Sequence, residues 1–143
     1  MPLLIGLVLA LIVGGFGTAL RLDRDRAFYP TITIVIASYY ILFAVQAGGG
    51  ASLVGELGEF ALFLLAAAAG FRGSLWLVVG ALIAHGLIDS IHGRLITNSG
   101  VPEWWPRFCM GYDLMAGAYL AVRLRSGAIP VRPNASAARR LVG

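Results

Sequence analysis

Four apolar runs, Pro2 to Leu20, Tyr29 to Ala47, Leu53 to Phe71 and Leu75 to Ile91, constrain this chain more than anything else in it. Each approaches the ~20 residues that carry a helix across ~30 Å of hydrocarbon. Apolar surface on that scale cannot be hidden in one small core. The 143 residues are 59% hydrophobic and only 13% charged, with a mean hydropathy of +0.83, where a soluble domain carries about 25% charged residues. A fifth, weaker run, Phe108 to Val122, is interrupted by Asp113 and rich in small residues, and reads as a helix packed inside the bundle. The expected fold is all-α: an integral membrane bundle of five transmembrane helices over residues 1–125, followed by a basic, flexible cytoplasmic tail over residues 126–143.

Residues 1–20 have the length of a signal peptide, but no positive residue precedes the apolar stretch and no A-x-A cleavage site follows it, so they read as a retained first span. Orientation follows from arginine, since the chain has 11 basic residues and none is lysine. Arg21, Arg24, Arg26, Arg72, Arg123, Arg125, Arg132, Arg139 and Arg140 fall on one side of a five-span arrangement, against Arg94 and Arg107 on the other. The positive-inside rule then puts the N-terminus outside and the C-terminus in the cytoplasm. Four spans would leave the last basic cluster outside, so the arginines also favour five. The same logic makes RLDRDR, residues 21–26, a topology signal in an inner loop, and no nucleic-acid partner is expected.

This topology collects the ionisable groups. Both histidines of the chain, His85 and His92, stand with Asp89 at i, i+4, i+7 in span four; at about 100° per residue the three fall within a roughly 60° arc of one helix face. Glu56 and Glu59 open span three, and Cys109 and Asp113 open span five. All of these are expected in the outer half of the bilayer, and groups so costly to bury in lipid mark a pathway, a relay or a ligand site. Two imidazoles and a carboxylate from one helix face form a credible three-ligand set for a divalent transition metal, zinc ahead of iron. Glu59 or Asp113 would complete it. Zinc so held lowers the pKa of bound water to about 7 and supplies a nucleophile at the membrane surface. A two-iron site drawing on facing helices is the neighbouring option, but the E-x-x-H pairs typical of such sites are absent.

Each residue has a plainer reading. His85, Asp89 and His92 could be an interhelical hydrogen-bond cluster that fixes packing. Glu56, near the interface, could snorkel to water, which makes Glu59, a turn deeper, the better candidate. Asp113 could pair with Arg107. Cys109, the single cysteine, cannot form an internal disulfide and is most simply a small buried apolar residue. Gly14, Gly15, Gly17, Gly80 and Gly86 let helices approach closely, with Gly86 and Gly93 also able to leave room for a ligand. Tyr39 and Tyr40 lie mid-span, at a depth that argues against contact with the histidines. The loop from Gly93 to Arg107 holds NSGVPEWWP, a composition suited to an ordered interfacial lid.

From Gly58 to Asp113 the sequence reads GEF, FRGSLW, HGLIDSIHG, Asn98, Pro102, WWP and CMGYD. In this stretch it resembles a family of small bacterial integral-membrane proteins of unknown function that carry an H-x-x-x-D-x-x-H transmembrane helix. The resemblance implies that Glu59, His85, Asp89, His92, Cys109 and Asp113 belong to one set, and it implies a multi-pass protein of the bacterial inner membrane. In ligand chemistry alone the chain is also similar to zinc-dependent membrane hydrolases such as alkaline ceramidases, which have more helices and a third histidine. The resulting expectation is a membrane-embedded metalloenzyme, hydrolase-like, acting on a lipidic or small apolar substrate. His85, Asp89 and His92 would be metal ligands, Glu59 a ligand or general base, and Asp113 a further ligand or orienting group. Two other readings stay open: an ion or proton relay, and an accessory subunit of a homo-oligomer or larger membrane complex.

Overall fold

The computed structural model describes residues 1–24 and 26–133. Asp25 of the loop over residues 21–26, Arg139 and Arg140 of the arginine count, and residues 134–143 of the expected tail lie outside the described residues. Among the described residues every regular element is a helix: α1 (Pro2–Ala19), α2 (Phe28–Gln46), α3 (Ala51–Arg72), α4 (Trp76–Asp89), α5 (His92–Leu95) and α6 (Trp105–Arg125). Helices α1, α2 and α3 are long and apolar enough to cross a membrane, whereas α4, with 14 residues, is an apolar helix of shorter reach. The apolar runs thus became helices to within a few residues of their sequence boundaries.

Long loops do not separate the elements, so successive long helices run up and down. Helix α6 packs against α1 on one side and α4 on the other, while α3 bridges α2 and α4. Glycine makes the first contact close: a Cβ on Gly6 would meet the backbone carbonyl of Phe108, and one on Gly111 would meet that of Leu3. Small residues at such crossings let backbones approach and gain dispersion contacts that lipid cannot supply. Gly86 serves the same purpose between α4 and α6, lying under the Cβ of Asp113 and the carbonyl of Met110. Leu4, Ile12, Phe16, Val54, Leu65 and Val122 point outward and are exposed.

The end of the bundle that carries the α1–α2 and α3–α4 connections is locked by two buried charges. Arg26, held at φ 71°, is 6% exposed. Its guanidinium donates to the carbonyls of Gly70, Phe71 and Gly73, which would otherwise be left over where α3 ends, and to that of Pro130. Desolvation lowers its pKa from the ordinary arginine value. Asp23 accepts hydrogen bonds from Thr18 and from both Nε and a terminal nitrogen of Arg123. The loop expected to act only as a topology signal is therefore also a structural clamp. The start of the tail is likewise docked rather than free: Ile129 is buried, and the Val131 carbonyl accepts the Leu75 amide.

Candidate functional site

At the opposite end, where α2 stops and α3 and α6 begin, the ionisable groups converge. Glu56, His85, Asp89, His92 and Asp113 are each 2% exposed or less, and the Glu59 side chain is 13% exposed. They come from four helices, and they are held by one another.

The structure corrects the single-face reading of His85, Asp89 and His92. Helix α4 ends at Asp89, where the Ser90 amide and hydroxyl both turn back on the Leu87 carbonyl. Ile91 leaves helical geometry at φ −123°, ψ 3°, and His92 opens the separate turn α5. The imidazoles therefore serve different partners. His85 Nδ1 lies 2.7 Å from Asp113 Oδ2 and 3.6 Å from Asp89 Oδ2. His92 Nε2 lies 3.2 Å from Glu56 Oε2 and 3.8 Å from Glu59 Oε2. In each of the two groups, His85 with Asp89 and Asp113 and His92 with Glu56 and Glu59, three ligand atoms lie within 4.8 Å of one another.

The structure places three further residues. Glu56, which could have snorkelled, is the most firmly held acid of its group: Asn98 Nδ2 donates to its Oε1 at 2.8 Å while His92 holds the other oxygen. Asp113 is fully buried and engages His85, not Arg107. Tyr40, whose mid-span position argued against contact with the histidines, joins the two groups: its hydroxyl donates to Asp89 Oδ1 at 2.6 Å, and its ring stacks on His92 with centroids 4.1 Å apart. Only its partner helix could reveal that, because a tyrosine hydroxyl reaches most of a helical turn beyond its own Cα. Cys109 is buried and free, and it belongs to neither group.

The segment between α5 and α6 closes the site from its end of the bundle. Asn98 also bonds the Tyr40 carbonyl, and a Cβ on Gly100 would collide with the Phe43 carbonyl, so the segment sits directly on the end of α2. Beside it lies a cleft of about 260 Å³, lined by His92, Asn98, Glu103 and Pro106 among others. Trp105 packs at a tilt against Tyr39 and edge-on to Phe43, anchoring the start of α6, and Trp104 is exposed.

Four buried polar atoms of the cluster have no hydrogen-bond partner: Glu59 Oε1, His85 Nε2, Asp89 Oδ2 and Asp113 Oδ1. A buried polar atom left unpaired costs about 1–3 kcal/mol, more when it carries charge. Imidazole and carboxylate are the donors that divalent transition metals prefer, so these residues fit a cation. Compared with family models, with curated proteins and with solved structures, the chain has no match. The reading of the site accordingly rests on its own geometry.

Proposed function

We propose that this chain is a multi-pass protein of the bacterial inner membrane that binds a divalent transition metal, zinc ahead of iron, in its outer half. We further propose that it acts there as a metal-dependent hydrolase on a lipidic or small apolar substrate. The observation that carries the reading is the convergence of two imidazoles and four carboxylates at one end of an apolar bundle, with four of their buried atoms unpartnered. The five-span arrangement, N-terminus outside, is supported by the arginine asymmetry and by the outward-facing apolar side chains. Helix α4 covers about 21 Å at ~1.5 Å per residue; in this arrangement α5 and the segment after it complete the crossing.

Within this reading the residues that would hold metal fall in two groups, His85 with Asp89 and Asp113, and His92 with Glu56 and Glu59. Bound zinc supplies Lewis acidity and a water activated near neutral pH. Glu59, the least buried of the carboxylates, accepts the proton released in the reaction, and Asp113 orients His85 through Nδ1. The cleft lined by His92 gives access to water and substrate. A through-membrane relay is the weaker alternative, since Val78, Leu82, Ala116 and Leu120 fill the stretch of α4 and α6 between the cluster and the other end. Elemental analysis of the purified chain tests the metal; absence of stoichiometric metal, with none lost on His85→Ala, sinks it. Chelator-sensitive hydrolysis of ester- or amide-linked lipids in proteoliposomes tests the activity.

A further inference from the structure

Resting on the metal-binding reading above, we propose that the site holds two divalent cations, one in each three-residue group, and is a dinuclear centre. The two groups are built alike. His85 and Asp89 stand one helical turn apart on α4 and receive Asp113 from α6; Glu56 and Glu59 stand one turn apart on α3 and receive His92 from α5. Residues at i, i+3 and i, i+4 share a helix face, so each pair presents two ligand atoms to one point and the third residue closes it. Each group contains one imidazole and two carboxylates, so neither is the leftover of the other.

Charge argues the same way. Among the described residues the only basic side chains beside the four carboxylates are the two imidazoles; with these neutral, as metal ligands are, the ionised carboxylates carry four negative charges. The buried arginine, Arg26, and the Asp23–Arg123 pair are at the other end of the bundle. One divalent ion would leave two of those charges to be neutralised by protons, whereas two ions match all four with no proton retained. Buried atoms with no hydrogen-bond partner occur in both groups: His85 Nε2, Asp89 Oδ2 and Asp113 Oδ1 in one, Glu59 Oε1 in the other. Tyr40 ties the groups together, bonded to Asp89 of the first and stacked on His92 of the second. The E-x-x-H pairs of helix-bundle diiron sites are not required, because the end of α4 at Asp89 lets α5 deliver the second imidazole instead.

The test strips the full-length chain in detergent with a chelator, reloads it with Zn²⁺, desalts it and counts zinc per chain. Two ions are expected in the wild type, one in Asp113→Asn and one in Glu56→Gln, both near-isosteric, and none in the double variant. One ion in the wild type, or two retained by either single variant, overturns the dinuclear centre while leaving metal binding intact; no zinc at all overturns the reading on which it rests. Circular dichroism and elution volume establish that each variant is folded. If either is not, calorimetric titration of the wild type decides, saturation at two equivalents supporting the proposal and saturation at one overturning it.

Discussion

The hydroxyl of Tyr40 donates a 2.6 Å hydrogen bond to Asp89, joining the middle of α2 to the last residue of α4. A carboxylate that accepts a fixed donor has its free oxygen aimed, which is the role outer partners play for metal ligands. Tyr40→Phe removes the donor and keeps the ring over His92. Zinc affinity is expected to fall 10–100-fold, read by competition with a chromophoric chelator. An unchanged affinity would remove Asp89 from the ligand set.

The approach of α1 to α6 depends on Gly6 and Gly111, each lying against a backbone carbonyl of the other helix. Adding a methyl group there forces the helices apart, and overpacking of this kind costs about 1–3 kcal/mol. Gly6→Ala and Gly111→Ala should both lower the thermal unfolding midpoint in detergent. Gly80→Ala, where a Cβ meets nothing within 4 Å, is the matched control and should leave it unchanged or slightly raised.

Arg26 offers a separation of structure from site. Lysine at this position keeps the charge but cannot reach four carbonyls in a planar fork. Arg26→Lys should destabilise the fold by about 1–3 kcal/mol through unsatisfied carbonyls, with zinc content per folded chain unaltered. Loss of zinc from a folded Arg26→Lys chain would mean that the two ends are coupled.

Orientation is checked with single cysteines on a Cys109→Ala background. A membrane-impermeant maleimide should label Ala51→Cys, an exposed position before the acids of α3, in intact cells. Ser126→Cys, exposed beyond α6, should react only after permeabilisation. The opposite pattern would invert the proposed topology and move the cluster to the cytoplasmic side.

Much of this molecule is legible from its sequence, for a definite reason. Hydropathy is a local quantity, summed along a segment, so the apolar runs specified the helices and their approximate ends. The cost of burying charge is equally local, and it singled out Glu59, His85, Asp89, His92 and Asp113 as residues needing a shared explanation. Even Glu56 and Asn98 stood in the sequence as polar residues beside these, though nothing in their spacing said they would meet.

What the sequence left undecided was who partners whom. No glycine or proline marks the break after Asp89, so periodicity carried His92 onto the face of His85, whereas packing turns the chain there and gives His92 to Glu56 and Glu59. Asp113 reaches His85 because Gly86 lets α6 approach α4, and Tyr40 reaches Asp89 because α2 lies beside both. Asp23 and Arg26, plain loop charges in the sequence, are buried because α3, α6 and the segment around Pro130 close over them. The sequence by itself determined which segments are helical and which residues cannot be left in lipid alone. Only the tertiary structure decided how those residues divide into two groups, because pairing across helices depends on where separate segments cross, and no single segment encodes that.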